Sequence, residues 1–569
     1  MSGRVSANGA QARTRTTALR ARLSRDSRAA LGRRAGRIRL FPAVAVALLA
    51  GLGVAFVAYG FLRWITPVDA SKAAAEIDVT RVALTVVAGV GGVVALVIAY
   101  RRQRDLEQSR FVERFGAAAA QLGATDVAVR IAGVYAMAGV ADESDGLRRQ
   151  QCIDVLCGYL RLPYSPEFGA NHQSKLVLTQ HRATADGTRA DDQERHLEYR
   201  HNDREVRATI VRVIADHLRP TAEYSWSTSD FDFRTAHLEN VDLSNVKFSG
   251  AARFGGATFS GTAGFGGATF SGTAEFGDVT FSGDAGFRDA TFTSTAGFGG
   301  ATFSGTAGFR SATFSNYARF RGATFSSYAE FRGATFSGDA EFGDVTCSGD
   351  AEFRDAIFSG TAEFRDATCS GDAWFRSATF TGTAGFRGTT FTGYAEFRSV
   401  TFTGYAEFRD ATFTGTAEFR DATFTGTAEF RDATFTGTAG FRSTIFSSYA
   451  EFRNTIFSSD AWFGDATCSG DAEFGGATFS GDAWFGGATF SGDAEFRSAT
   501  FSSYAEFRDA TFSGYASFVQ VDFGTETISF VRPKQWGPPA PVFDWDQDVS
   551  RKPANVEPQD WPPTVVPGL

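Results

Sequence analysis

Cysteine and lysine are scarce in this chain, and the short motifs of common chemistries are missing. Five cysteines occur in 569 residues, and none forms a CxxC pair. Neither a disulfide framework nor a paired-cysteine metal site is therefore expected, and the usage suits a reducing compartment. Lysine supplies only five of the 56 basic residues, so arginine carries nearly all the positive charge. No P-loop, dinucleotide glycine motif, nucleophile elbow or HExxH is present, which leaves no phosphate cradle, activated serine or zinc-protease helix. The expectation is a protein without catalytic residues, cofactor-binding residues or metal ligands. Four of the six histidines, His172, His181, His196 and His201, fall in a polar stretch over 165–205. His196 and His201 are five apart, whereas ligand pairs on a helix need three or four, and no cysteine accompanies them. That stretch reads as a solvated loop.

Phenylalanine is abundant instead, with 58 copies. Tyr405 to Gly437 reads YAEFRDATFTGTAEFRDATFTGTAEFRDATFTG, three near-identical units of eleven residues. From Phe248 to Phe523 alternating steps of six and five residues mark 51 positions, of which 48 are Phe and the others Cys347, Cys369 and Cys468. Standing where copies have Phe, those three cysteines are expected to be buried apolar side chains. Cys152 and Cys157 sit in a segment with helical apolar spacing.

A helical reading of the eleven-residue period fails. Five helical residues turn the chain through about 500°, so alternate Phe would form two stripes rather than one seam. Each unit also carries Gly and several Thr or Ser, which are poor helix formers. As extended chain the unit is consistent. In Ala417-Glu418-Phe419-Arg420-Asp421 the Ala and Phe share one face while Glu and Arg point the other way. Ala422-Thr423-Phe424-Thr425-Gly426 repeats the pattern, and Thr427 is one residue to spare. Each block is a short rung ending in a Gly or Asp suited to a corner.

Blocks with a small residue two places before a central Phe or Leu, plainest in Ala236-His237-Leu238-Glu239-Asn240 and Val241-Asp242-Leu243-Ser244-Asn245, resemble the pentapeptide-repeat family. The resemblance implies a right-handed, four-sided β-helix. After Phe248 the chain departs from that pattern by one extra residue per pair of blocks, which leaves the corner geometry open. Four blocks then take 22 residues, giving about 12.5 coils and a rod on the order of 60 Å long.

The other end of the chain differs. Residues 1–39 hold eleven Arg against one acidic residue, Asp26. Leu40–Leu62 and Val82–Tyr100 then run 23 and 19 residues without a charge, each long enough to cross about 30 Å of hydrocarbon as a helix. Between them Arg63, Lys72 and Arg81 balance Asp69, Glu76 and Asp78. With the arm and Tyr100-Arg101-Arg102-Gln103-Arg104 as basic flanks, the positive-inside rule places both termini in the cytoplasm of a multi-pass protein of the cytoplasmic membrane. Beyond Arg101, helical spacing joins Phe111, Phe115, Ala118 and Leu122, then Val127, Ile131, Val134, Tyr135 and Met137, then Val155, Leu156 and Leu160. This order of parts is similar to that of membrane-anchored pentapeptide-repeat proteins of actinobacteria, and the likeness implies architecture rather than activity.

The expected organisation is an Arg-rich cytoplasmic arm (1–39), a membrane hairpin (helices 40–62 and 82–100, external loop 63–81), a small α-helical domain with a polar insert (101–225) and a β-helical solenoid (231–530). The Pro- and Trp-rich tail (531–569), with Trp536, Trp545 and Trp561, reads as a cap over the last coil or as a recruitment segment. The expected function is a membrane-tethered scaffold that presents the rod to an unidentified cytoplasmic protein, with neither nucleic acid nor a small-molecule substrate as partner. Triplets such as Glu407-Arg409-Asp410 recur as a surface ladder does and a catalytic site does not. Two alternatives stand beside this. Residues 231–524 carry 20 basic and 35 acidic residues, and the likeness to quinolone-resistance members of the family implies a DNA mimic that blocks gyrase. Its acidic excess concentrates between Glu451 and Arg497, around Asp460, Asp465, Asp471, Asp482 and Asp493. Outward Thr pairs such as Thr412 and Thr414 would form flat ladders like those of ice-binding solenoids. No residue stands out from its copies, so no binding residue is named.

Overall fold

The computed structural model describes residues 74–166, 175–180, 193–198 and 202–566, with isolated positions between 49 and 65. The Arg-rich arm and most of the first expected span, 40–62, lie outside the described residues. Two compact units divide the chain, Met1–Glu113 and Arg114–Leu569.

Val82–Tyr100, the second expected span, belongs to helix α1 (Ala74–Leu122). Past Tyr100 that helix continues through Arg101, Arg102, Arg104, Asp105, Glu107 and Arg110. Among the described residues no helix is long and apolar enough to cross a membrane. The expected membrane hairpin and the multi-pass placement with cytoplasmic termini are corrected accordingly: a neutral run was read as a self-contained element, whereas it is one part of a 49-residue helix with a charged continuation.

In the second unit the last turn of α1 meets α2 (Val127–Asp142), and α2 packs on α3 (Gly146–Leu160) and α4 (Asp203–Leu218). Asp126 starts α2 by accepting the Ala128 N–H at 2.7 Å, a side-chain cap for an otherwise unpaired donor. Gly133 lets α2 approach α1 closely, since a Cβ there would fall 2.7 Å from the Leu122 nitrogen. Ala118, Leu122, Val134, Met137, Leu156 and Leu160 are buried, but Tyr135 is 52% exposed. The polar insert departs from the expected loop: β1 (Lys175–Gln180) pairs antiparallel with β2 (Gln193–Glu198). Helix α4 was not expected either. Val206, Ile210, Val213, Ile214 and Leu218 give it a buried stripe at helical spacing.

From Phe231 the chain winds through four parallel sheets, and equivalent strands pair 22 residues apart, as Thr280 with Thr302 and Ala285 with Ala307. Face one carries fifteen strands, all but the first and last of Ala-x-Phe type, such as Ala406–Glu407, and ends at Val542–Phe543. Face two carries Thr-Phe strands such as Thr412–Phe413. Face three is again Ala-x-Phe, as in Ala417–Glu418, and reaches Val556–Glu557. Face four carries fourteen strands, mostly Thr-Phe, from Lys247–Phe248 to Gln535–Trp536. The strand counts exceed the 12.5 coils of the regular tract because the first blocks and the Pro-rich tail join the same sheets. No proline lies between Pro220 and Pro533, as a continuous ladder of N–H donors requires.

Inside, each Phe stacks on its copy one coil away. Phe276 and Phe298 are 4.8 Å apart and 3° from parallel, a separation that matches the strand spacing. Across the core, the Phe of faces one and three meet edge to face, as Phe276 and Phe287 do at 5.4 Å and 88°. At the far end Phe530, Phe543, Trp545 and Trp561 continue the column, with Phe543 and Trp561 4.9 Å apart at 89°.

Two kinds of corner explain the steps of five and six. After each Ala-x-Phe strand comes a tight turn in which the Ala290 N–H donates to the Phe287 carbonyl at 3.1 Å and Asp289 has φ 57°. That is the left-handed position of a type II turn, filled along the rod by Asp, Ser, Asn or Gly. The six-residue step belongs to the other corner, Ser/Thr-Gly-X. Its X side chains are the extra eleventh residues, and an Asp there takes a donor from the next coil, as Asp372 accepts the Tyr394 backbone N–H at 2.9 Å.

Candidate interaction surfaces

Because strands pair in register, every outward side chain stands in a column with its copies. On face one Glu407, Glu429, Glu451, Glu473 and Glu495 stack directly. Partial burial, with neighbouring Glu429 adding to it, pushes the carboxyls of Glu407 and Glu451 up. Arginines beside the column temper this charge: Arg431 lies 3.7 Å from Glu429, and Arg453 donates to Glu473 at 2.8 Å. On face three the turn arginines Arg288, Arg310, Arg332, Arg354, Arg376, Arg398, Arg420 and Arg442 occupy eight successive coils. Several reach the turn aspartates, with Arg398 3.8 Å from Asp421 and Arg442 3.9 Å from Asp465.

The aspartates marked by the acidic excess do not form one row. Asp460 and Asp482 stand at the corner before face three, Asp471 and Asp493 at the corner before face one, and Asp465 in a turn after face three. All five are also engaged: Asp460 accepts the Asp482 N–H at 3.2 Å, Asp471 the Asp493 N–H at 3.0 Å, Asp493 the Tyr515 N–H at 3.1 Å and Asp482 the Ser503 hydroxyl at 2.6 Å, while Asp465 faces Arg442. In the Glu407-Arg409-Asp410 triplet, Arg409 lies 3.5 Å from Asp410, and Arg387 from the previous coil lies equally close. Faces two and four are Thr columns interrupted by the exposed Ile357, Ile445 and Ile456. The second Thr of the unit is exposed, and its hydroxyl reaches back to the preceding coil, as the Thr425 hydroxyl donates to the Thr403 carbonyl at 3.2 Å.

Tyrosines at the X corners tie coils together. Tyr317, Tyr328, Tyr394, Tyr405 and Tyr449 each donate their hydroxyl to a glutamate of the next coil, namely Glu341, Glu352, Glu418, Glu429 and Glu473. Burial first, and the accepting carboxylate second, push the Tyr317 hydroxyl up to about 12 and those of Tyr394, Tyr405 and Tyr449 up as well. A raised folded-state value means that this contribution is complete below the ordinary tyrosine value of about 10 and is lost as pH climbs through the folded value. Thermal melts are expected to fall between pH 10 and 12, in step with tyrosinate absorbance. Replacing Tyr394, Tyr405 and Tyr449 by Phe should flatten that slope, and an unchanged slope would refute the assignment.

A cleft of about 200 Å³ lies between α4 and the first coil, lined by Tyr164, Arg204, Arg207, His237, Glu239 and Asn240. Its charges serve one another. Arg204 donates to Glu239 at 2.6 Å, Tyr164 donates to the same carboxylate at 3.2 Å, and the Arg207 guanidinium lies 4.5 Å over the Tyr164 ring. Burial holds the His237 imidazole below its ordinary value. The arrangement fastens the helices to the coil.

Cys347 and Cys369 are direct neighbours in adjacent coils, and all five cysteines are buried and free. The hydrogen bond with the Cys369 thiol, then burial, raises the Cys347 thiol well above its usual value; burial alone lifts Cys468 to about 12. These thiols are protonated at neutral pH and therefore poor nucleophiles. His196 is exposed on β2, 3.1 Å from Glu194, while His172, His181 and His201 lie outside the described residues. Among the described residues no three His, Cys, Asp or Glu side chains gather as metal ligands.

A family model described as pentapeptide repeats (9 copies) matches overlapping stretches from residue 233 to residue 522. The chain belongs to the pentapeptide-repeat family. The match lies wholly inside the coils and speaks to neither an actinobacterial source nor an anchor. No curated protein and no solved structure matches this pentapeptide-repeat protein significantly. What the sequence reading missed is the exception on face three, where Trp374, Trp462 and Trp484 stand in the column otherwise held by Glu or Gly. The signal was a comparison at a spacing of 22 residues instead of eleven.

Proposed function

We propose that this pentapeptide-repeat protein is an interaction scaffold whose rod displays charged side-chain columns to a protein partner and performs no catalysis. The observation that carries the reading is the in-register repetition of outward Glu and Arg on faces one and three. A flat surface that repeats its groups at about 4.8 Å offers extended complementarity to another macromolecule and no enclosed place for a small substrate.

Photo-crosslinkers at Glu429, Thr412, Glu418 and Thr423 sample the four faces in turn. Capture of one protein from one or two adjacent faces is expected, and equal labelling from all four would sink the proposal. DNA mimicry is the second reading, favoured by the acidic excess of the rod. It requires uninterrupted rows of free carboxylates, whereas arginine rows interleave with them here. A chain beginning near Arg101 is therefore expected not to inhibit gyrase supercoiling at micromolar concentration. Inhibition that disappears when Asp460, Asp465, Asp471, Asp482 and Asp493 become Asn would transfer the assignment to mimicry.

A further inference from the structure

On face three, Trp462 and Trp484 stack in adjacent coils, 5.0 Å apart and 8° from parallel. The stack is closed above, where Tyr504 lies 5.2 Å from Trp484. Below Trp462 its in-register neighbour is Gly440, followed one coil further down by Glu418. One more step of the repeat would place a third ring over Gly440, and there the column has no side chain. The result is a notch with an indole face as its roof and the Glu418 side chain as its floor. Trp462 is 39% exposed, so the notch opens to solvent.

The surroundings select a charge. The eight-coil arginine row ends at Arg442, and the next two positions are Gly464 and Gly486. Asp460 and Asp482 stand beside the two indoles, and Asp465 follows in the turn. Arg442 is turned toward Asp465, at 3.9 Å. The rod also contains the contact that the notch invites: the Arg354 guanidinium lies 5.1 Å over the Trp374 ring. A guanidinium is planar, stacks on indole and is weakly hydrated, so it suits such a slot better than a compact ammonium does.

We propose that the Gly440 notch is the docking point for an arginine of a basic protein segment, its guanidinium stacked beneath Trp462 and its charge facing Glu418 and Asp460. The inference rests on the scaffold reading and names the chemistry of the partner. Ile456 on face two and Ile445 on face four, 43% and 42% exposed, flank the notch with apolar surface for the neighbouring residues of that segment.

The test uses the full chain, titrated with a short peptide of alternating Arg and Gly, and with its lysine counterpart, at about 0.15 M salt. Gly440→Trp fills the notch without adding charge. Its Cβ would meet nothing nearer than the Glu418 Cγ at 3.7 Å, and the same column accepts Trp374, Trp462 and Trp484. Trp462→Glu removes the roof and adds a carboxylate in a column that already holds Glu396 and Glu418. The arginine peptide is expected to bind about tenfold more weakly to both variants, with a change in indole fluorescence seen only in the parent, and the lysine peptide to bind the parent more weakly than the arginine peptide. Charge attraction alone predicts the opposite for Trp462→Glu, which would then bind more tightly. Equal affinity of parent and Gly440→Trp, or of arginine and lysine peptides, overturns the notch. Crosslinks from another face would still support the scaffold in that event, so the two failures are distinguishable.

Discussion

Removing Thr416–Gly437 is expected to leave a folded rod one coil shorter, whereas removing only Ala417–Asp421 is expected to abolish its cooperative melt. The difference follows from register. The first deletion takes out 22 residues, so every downstream strand pairs with the same kind of strand as before, as Ala395 paired with Ala417 and Thr412 with Thr434. The second moves each later Thr-Phe strand onto an Ala-x-Phe face. Left-handed turn residues such as Asp432 would then fall where the chain makes its Ser/Thr-Gly-X corner. At such a corner Gly415 already sits so close to the preceding coil that a Cβ would lie 2.3 Å from the Gly393 carbonyl oxygen. An eleven-residue deletion is the informative intermediate. It keeps Thr-Phe on Thr-Phe and transfers all later outward columns to the opposite face, so folding should survive while Trp462 moves to face one. Circular dichroism melts order the three, and a 22-residue deletion less stable than the five-residue one would refute the coil.

The inward half of this architecture was legible because one side chain serves both sides of its own repeat. Each Phe must stack on a copy above and below, which permits no substitution larger than Phe and leaves only Cys347, Cys369 and Cys468 as exceptions. The corners were less legible. Spacing shows that one residue is extra without saying where it goes, and the answer depends on backbone contact between coils at Gly415 and its equivalents. The outward pattern was obscured by symmetry. Consecutive eleven-residue units lie on opposite sides of the rod, so Glu418 and Glu429, neighbours in the repeat, are never neighbours in space. Gly440, Trp462 and Trp484 become a column only when every second unit is compared.

The helical part failed to announce itself for a different reason. A neutral run such as Val82–Tyr100 has a clear one-dimensional signature, but whether it ends as an element depends on what continues the helix. Helix α4 carries its apolar stripe directly behind the polar stretch 165–205, and no helix was expected there. Its first residue, Asp203, is the anchor of the only fully buried arginine among the described residues.

Asp203→Ala is expected to cost the helical domain about 3–5 kcal/mol, because it strips a dry guanidinium of its carboxylate. Arg130, in α2, has no exposed side-chain surface and donates to Asp203 at 2.6 Å and to the Tyr159 hydroxyl, in α3, at 3.0 Å. Tyr159 donates in turn to Asp203 at 2.5 Å, so one carboxylate holds three helices together. Arg207 comes within 3.8 Å of the same carboxylate, and burial depresses its guanidinium. Asp203→Asn keeps an acceptor but loses the charge, and should fall between Ala and the parent. Replacing Arg130 and Asp203 together by Leu should recover much of the loss, since neither ion is then buried alone. Chemical denaturation resolves the outcome: the Ala variant should show an early helical transition ahead of the rod's, because the Phe column does not depend on this pair. An Ala variant with the parent midpoint, or a double Leu variant no better than the single Ala, would mean that the cluster is held by packing rather than by charge.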